Sequence, residues 1–449
     1  MSPKSNLWSE IGFRDNPYDT WPLGDDEHDL ELLVGRTELL DGIVLDLGAK
    51  TSHIAVDAPN GGGKTSLIKC VMNELDSTAT SQEVGQLLIP VRALIEPSRH
   101  ENSTEFIERA LLVLAETLHK NQRLINRVNG FSSKGLGELA KTMKRPRDGG
   151  VSGGVGIPPF GNVAAGKSSA ANSSFPFRNS GFERLVQETL KEAFPAKPSG
   201  ALVACIDNLE LIGGPTKVQK FLGEIRDRLL RLPGVKWIVI GANGVLEGSN
   251  NHPRLSGVVS SPLELPELEP QQVVEVVERR IGFFRVGTRL TVPIGGESFR
   301  EIYESCGRDL RRALQLSQDF SLEAYNRGML DDDLLESTVE DGDEAWTRLE
   351  LPSGAAAVFL QSHCLEEWDK VVSMGRVATG VLREVHRAGS IGRSKLIAED
   401  RVREAAIERL SRRQYLVRVR NREDRRRTNL RLSGAGNLAI TGGQLAETA

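Results

Sequence analysis

Residues 54 to 70 read IAVDAPNGGGKTSLIKC: an apolar run, a glycine-dense turn, then a lysine, a threonine and a helix-compatible stretch. Three consecutive glycines, Gly61, Gly62 and Gly63, let a backbone turn its N–H groups inward and approach a polyphosphate without Cβ clashes. The helix behind them adds the positive end of its dipole. Lys64 would then reach the β- and γ-phosphates, and the Thr65 hydroxyl would ligate Mg²⁺, the division of labour of a Walker A loop. Ala58 stands where that pattern opens on glycine, and a small residue still fits the turn. The expected ligand is ATP with Mg²⁺, held from Ala58, Pro59 and Asn60 through the three glycines to Lys64, Thr65 and Ser66. A second stretch, GNVAAGKS from Gly161 to Ser168, satisfies the strict motif better. It has no apolar strand before it and no helical period after it, so it lacks the strand-loop-helix context and reads as a decoy.

The next chemistry-bearing segment is ALVACIDNLEL, in which Asp207 ends an apolar strand and would meet Mg²⁺ through water at the carboxyl edge of a parallel sheet. In the hydrolytic version of this motif a Glu follows the Asp and polarises the attacking water. Here the residue is Asn208, which cannot accept a proton, and Glu210 is the nearest carboxylate on the segment. Two readings stay open: slow hydrolysis with ATP acting as a switch, or a catalytic role for Glu210 or another carboxylate. Asn243, in KWIVIGAN, ends the next strand. It either holds the attacking water or the γ-phosphate, or simply forms a turn before Gly244. Arg254, in NNHPRLS, and Arg311 and Arg312, in GRDLRRAL, lie near structural transitions, where an arginine is either a charge sensor or a solvated surface group.

Positioning these residues requires a large scaffold, and 449 residues suffice for two or three domains. Short buried-type apolar runs at 53–56, 86–95, 201–206 and 236–240 alternate with helical patterns at 65–75, 103–118, 182–193 and 217–232. That alternation predicts an α/β fold with a parallel sheet covered on both faces. The expected organisation is an extended N-terminal arm over residues 1–28, a nucleotide-binding base over 29–265 carrying a flexible Gly/Ser-rich insertion at 146–180, a helical lid over 266–330, an acidic linker over 331–345 and a last domain over 346–440.

No stretch approaches 18 consecutive apolar residues and the first thirty are polar and acidic, so a transmembrane helix and a signal peptide are both excluded and a cytoplasmic location is expected. The four cysteines, Cys70, Cys205, Cys306 and Cys364, are widely spaced, which argues against a disulfide framework or structural zinc. The net charge is −4, but between Arg387 and Arg431 fifteen Lys or Arg stand against six Asp or Glu, a local +9. A polyanion-binding end follows from that asymmetry.

The order of the motifs resembles that of the AAA+ ATPases, in particular the origin-recognition and Cdc6-like initiator branch. Over about Asn16 to Leu316 the matching pieces are NPY followed by LVGRTEL, the Walker A loop, IDNLE at the Walker B position, GAN at sensor 1, HPRLS at the trans-acting arginine finger and GRDLRRAL at sensor 2. The resemblance implies a P-loop AAA+ parallel-sheet domain with a helical lid, nucleotide between them, and Val34, Gly35 and Arg36 near the adenine. It further implies that Arg311 touches the γ-phosphate and that Arg254 reaches the nucleotide of a neighbouring subunit, in a homo-oligomer or beside a partner ATPase. Asn208 departs from the family's hydrolytic pattern, so both readings of its hydrolysis stay open.

From Arg376 onward, three helical stretches precede two alternating segments, YLVRVR and TNLRLS, joined by NREDRRR. This resembles a C-terminal winged helix of the MarR-like form. On a double-stranded DNA reading, Arg401, Arg403, Arg412 and Arg413 belong to a helix in or near the major groove, while Arg425, Arg426 and Arg427 meet phosphate or minor groove. The alternative is a domain for protein contacts, with wing arginines paired to Glu423 and Asp424. The sequence thus points to an ATP-switched, double-stranded DNA-binding AAA+ protein. A STAND-like signalling or scaffold NTPase, with the winged helix as an autoinhibitory or protein-binding domain, is the alternative.

Overall fold

The computed structural model describes residues 6–24, 27–50, 52–80, 86–98, 100–129, 137–139, 180–195, 200–330, 335–340, 346–397, 400–420 and 428–448. The Gly161–Ser168 stretch, the insertion at 146–179 and Arg425 to Arg427 lie outside them.

Five strands, β1 (Ile54–Ala58), β2 (Leu87–Pro90), β3 (Gly200–Ile206), β4 (Val235–Ala242) and β5 (Leu263–Glu264), form one parallel sheet in the order β2-β3-β4-β1-β5. Every residue of β1 and β2 is buried, as are those of β3 after Gly200, because helices cover both faces. One layer of side chains joins the sheet to the helices Ser103–Lys120 and Pro215–Ile225 through Phe106, Leu114, Phe221 and Trp237; the other joins it to Thr37–Ala49 and Lys64–Thr80 through Ile43, Leu67 and Val71. Helix Ser103–Lys120 starts where a capping box fixes it: Asn102 Oδ1 accepts from the backbone of Thr104 and Glu105, and Glu105 answers to the Asn102 N–H.

The strand order has a direct consequence for the site. β4 lies between β1 and β3, with Ala242 opposite Ala58 and Val239 opposite Ile206. The residues that follow these three strands therefore emerge at one edge, side by side.

Residues 270–326 form three helices, Pro270–Phe284, Gly296–Ser305 and Leu310–Asn326, and a second sheet stands beside them. In it β6 (Arg289–Val292) pairs parallel with β8 (Trp346–Glu350), which pairs antiparallel with β7 (Glu336–Glu340). The expected boundary at 345/346 thus falls within a sheet shared with the helical region, and part of the acidic segment is a strand. The N-terminal arm is likewise built into this region. Trp8, Phe13 and Tyr18 sit in one core with Phe299 and Phe320, and the Tyr18 hydroxyl donates to the Ile294 carbonyl at 2.7 Å. Arg280, itself buried, donates to the carbonyls of Pro17 and Asp19 at 3.1 and 2.7 Å.

The C-terminal region follows the long helix Ser353–Val372. Helices Arg376–Ala388, Arg393–Ile397 and Arg401–Arg412 surround a three-stranded antiparallel sheet, β10 (Leu416–Arg420), β11 (Thr428–Leu432) and β9 (Ile391–Gly392), in the order β10-β11-β9. This topology is compatible with a winged helix. The last helix, Gly434–Thr448, crosses Ser353–Val372 so closely that a Cβ on Gly442 would lie 2.0 Å from the Cys364 carbonyl oxygen, which is why glycine stands there.

Candidate functional site

β1 delivers the loop Pro59–Gly63 to the carboxyl edge of the sheet, and the helix Lys64–Thr80 begins directly behind it. Gly61 adopts φ +78°, and a Cβ there would lie 2.3 Å from Asp309 Oδ1, so both conformation and space demand glycine. Lys64 is buried, and its Nζ donates to the carbonyls of Ala58 and Pro59 at 2.9 and 3.0 Å. Burial holds its pKa below the ordinary lysine value, against the opposing pull of Glu210, Asp207 and Asp57.

The Thr65 hydroxyl donates to Asp207 Oδ2 at 3.0 Å, so the two residues read as the magnesium pair meet across the loop. Burial raises the Asp207 pKa, and hydrogen bonds from the Asn208 backbone and Thr65 and the charges of Lys64 and Arg311 act against that rise. A divalent cation would replace the proton that burial favours, and a hydroxyl with a carboxylate is a hard-oxygen donor set suited to Mg²⁺. Thr65 and Asp207 would hold it, at the boundary between the loop and β3.

A cavity opens over this loop. Its floor is Asn60 to Ser66. Asn208 and Glu210 close one side, Leu310, Arg311 and Leu314 of the helical region another, and Thr20 to Leu23 with Leu32 to Val34 a third. Arg311 is near enough for its charge to act on Lys64 and Asp207. Its neighbour Arg312 turns the other way, toward His363 and Glu367 of the long helix Ser353–Val372, at 3.2 and 3.5 Å. Adjacent arginines on one helical turn therefore face two different partners.

Val34 is buried at the cavity wall, Gly35 adopts φ +64° against the Gln272 side chain, and Arg36 is buried with its guanidinium on the Pro266 carbonyl. Arg36 and Leu268 border this cavity and also a second, smaller one, on whose wall Asn243 meets Pro59 to Gly62. The Asn243 N–H points to the Ala58 carbonyl at 3.4 Å, and its φ of +58° is a turn conformation, so turn and loop neighbour are the same residue. Glu210 lines the larger cavity; its Oε2 is buried without a hydrogen-bond partner, and burial raises its pKa.

Arg254 stands apart from this group. It is exposed, pairs with Asp227 at 3.4 Å and lines neither cavity. Within one chain it does not join the site.

Two contributors escaped the sequence reading. Asp57, inside β1, is buried and accepts from the backbone N–H groups of Gly244 and Leu246 at 3.0 and 3.2 Å, which ties the turn after β4 to β1. A lone Asp within an apolar strand was the available signal. The arm residues Thr20 to Leu23 also reach the cavity, and the Leu23 N–H donates to Ser66 Oγ at 3.1 Å. Nothing in their spacing announces that contact.

No protein-family model matches the sequence, and no curated protein does. Solved structures resemble it over nearly the whole chain. The Walker-type ATPase of Pyrococcus abyssi is 14% identical with a TM-score of 0.46, covering 95% of this chain and 99% of that one. The ORC1 protein of Aeropyrum pernix, solved in complex with DNA, is 17% identical with a TM-score of 0.43, covering 98% and 99%. The Cdc6p protein of Pyrobaculum aerophilum is 11% identical with a TM-score of 0.37, covering 98% and 99%. These are likenesses to Walker-type and Orc1/Cdc6-type proteins; the roles of individual residues rest on the geometry above.

In the C-terminal region, helix Arg401–Arg412 buries Ala406, Ile407 and Leu410 against its neighbours. Arg401, Arg412 and Arg413 are exposed, whereas Arg403 is half-buried and paired to Glu384. Arg412 also stands 3.5 Å from Glu408. The hairpin β10-β11 leans back onto the rest of the chain. Arg431 meets Glu267 at 3.3 Å, Arg308 meets the same carboxylate at 3.1 Å, and Leu432 to Gly434 border the smaller cavity. Among the described residues no cluster of His, Cys, Asp and Glu is arranged to hold a metal by itself, and no helix is long and apolar enough to cross a membrane.

Proposed function

We propose that this chain is an ATP-binding protein of the AAA+ kind whose nucleotide state controls its binding to double-stranded DNA through a C-terminal winged helix, with slow hydrolysis. The observation that carries the reading is the convergence on one cavity of Lys64 and Thr65, at the start of the helix behind β1, with Arg311 from the helical region, while Asp207 at the end of β3 accepts from the Thr65 hydroxyl. A cation that arrives from a separate element makes the position of that element depend on whether a γ-phosphate is present, which is the differential contact a switch needs. Lys64 would give its hydrogen bonds to phosphate oxygens in place of the Ala58 and Pro59 carbonyls. Residues 266–330 would act as a lid. Bound Mg²⁺ would supply charge neutralisation between the β- and γ-phosphates, and Arg254 would serve a neighbouring subunit in a homo-oligomer or with a partner ATPase. Asn208 offers no proton acceptor, so turnover is expected below about 1 s⁻¹.

A second reading is favoured by one observation, the seating of the hairpin on Glu267 beside the smaller cavity. In a STAND-like signalling NTPase the C-terminal domain would dock there to hold the chain inactive.

Fluorescence anisotropy of a labelled duplex in Mg-ATP, Mg-ADP and no nucleotide, at two salt concentrations, separates the two. Binding that tightens in ATP, falls with salt and disappears in Lys64→Ala supports the DNA switch. An absence of duplex binding in every state, with ATP-driven oligomerisation in light scattering, supports the signalling reading.

A further inference from the structure

Three parts of the chain meet at one buried carboxylate behind Arg311. Helix Leu310–Asn326 brings Arg312, the long helix Ser353–Val372 brings His363, Glu367 and Lys370, and the residue before β10 is Tyr415. Glu367 is buried, its Oε1 accepting from Lys370 Nζ at 2.9 Å and its Oε2 from the Tyr415 hydroxyl at 2.8 Å. Burial works to raise its pKa, but those two bonds and the charges of Lys370 and Arg312 hold it below the ordinary glutamate value. Tyr415 is buried as well, and its carbonyl accepts from the Ser433 N–H at 3.0 Å. Leu416 begins β10 and Leu432, opposite it, ends β11, so Tyr415 and Ser433 close the root of the hairpin.

Arg312 is seated incompletely at this junction. One terminal nitrogen stands 3.2 Å from His363 Nε2 and 3.5 Å from Glu367 Oε1, the other donates to Gln315 Oε1 at 3.2 Å, and Nε is buried with no hydrogen-bond partner among the described residues. A buried donor left unpaired is costly, and a guanidinium satisfies a carboxylate best as a two-pronged fork. Two oxygens offer four lone-pair sites, of which Lys370 and Tyr415 take two. His363 competes for the guanidinium: burial, then the Arg312 charge, lowers its pKa, so the neutral ring accepts at Nε2.

We propose that Arg312, Glu367 and Tyr415 form a relay with two seatings that passes the nucleotide state from Arg311 to the root of the basic hairpin. The proposal rests on the ATP reading above. A γ-phosphate that draws Arg311 into the larger cavity turns the first turn of helix Leu310–Asn326, and Arg312, the next residue, turns with it. Its guanidinium leaves His363 and sets Nε and one terminal nitrogen on the Glu367 carboxylate. Glu367 then ties the helical region, the long helix and the hairpin root together through hydrogen bonds, and the orphaned donor is satisfied. With ADP, Arg311 is not drawn in and Arg312 falls back to His363.

Hydrogen exchange read by mass spectrometry on the full chain, with a non-hydrolysable ATP analogue and with ADP, tests this. Exchange over 416–419 and 429–432 should be about tenfold slower with the analogue, the size of one hydrogen bond to a charged group. Arg312→Lys keeps the charge and removes the fork, so the contrast should vanish while Tm holds. Tyr415→Phe deletes only the hydroxyl and should also abolish the contrast. Affinity for the analogue should be unchanged in both, because Arg312, Glu367 and Tyr415 line neither cavity. Absence of the contrast in unaltered protein that binds the analogue overturns the relay. So does a contrast that survives in Arg312→Lys, or a Tyr415→Phe variant that melts earlier yet keeps it. An unaltered protein that fails to bind the analogue overturns the nucleotide reading, and the relay with it.

Discussion

The larger cavity and the helix Arg401–Arg412 are both rich in charge, yet they are built in opposite ways. Around the cavity, side chains from the arm, two strands of the sheet and the helical region converge, and Lys64, Asp57 and Asp207 are buried and hydrogen-bonded within a few residues of one loop. On the helix, Arg401, Arg412 and Arg413 diverge into solvent, and Arg403 is spent on Glu384. Convergence suits a small, multiply charged ligand held at one place. Divergence suits a long polyanion, whose phosphates are spread out and met one at a time with little sequence choice.

The largest test of this contrast concerns the scaffold under the cavity. His53 is buried just before β1, with one ring nitrogen on the Leu230 carbonyl and Nδ1 accepting from the Trp237 N–H at 3.2 Å, a pairing that requires a neutral ring. Burial, with a small contribution from Lys236 against the Leu230 bond, lowers its pKa from 6.5 to about 4. Between those values the unfolded chain binds more protons than the folded one. Stability is therefore complete above about pH 6.5 and falls as pH drops toward 4, by about 3 kcal/mol in all. Calorimetry across that window should show the loss, and a His53→Gln variant should flatten that part of the pH profile. A dependence unchanged in the variant would remove His53 as its source.

A middle-sized effect separates the adjacent arginines. Arg311→Ala should weaken ATP more than ADP, by about 2 kcal/mol for one charge-assisted hydrogen bond removed, with little change in Tm. Arg312→Ala should do the reverse, because it strips the buried Glu367 of a partner while leaving the cavity lining intact. Equal behaviour of the two variants in nucleotide titrations and melts would erase the distinction.

The smallest effect lies on the helix itself. Arg401→Ala and Arg413→Ala together should lower the salt slope of duplex binding by about one to two, since each DNA phosphate left without its arginine takes away about 0.9. Arg403→Ala should leave the slope alone and reduce stability instead.

The strand, loop and helix over residues 54–80 were legible because three glycines, a lysine and a threonine stand between an apolar run and a helical period; Gly161–Ser168 lies outside the described residues. The alternation of buried strands and amphipathic helices was enough for the parallel sheet. What stayed hidden is non-local. RLTV in β6 and WTRLE in β8 are too short to carry a period against helical surroundings, and their pairing spans more than fifty residues. Ile95 and Ile206 meet only because β2 lies beside β3. Trp8, Phe13 and Tyr18 looked like an extended arm because aromatic anchors on irregular backbone leave no repeat, although each is buried.

The stitching of β8 into the sheet of the helical region has a mechanical meaning. A chain segment that merely linked two bodies would let the second drift while the first turned. Here the segment is hydrogen-bonded into the first body along its length and, after Leu351 and Pro352, becomes the long helix on which the C-terminal region is mounted. On the proposed ATP reading the joint would work as a crank and not as a tether: a rotation imposed through Arg311 would be carried along β8 and the long helix to the basic hairpin. A chain cut after Leu330 would lose two of the three strands of that sheet along with the moving arm.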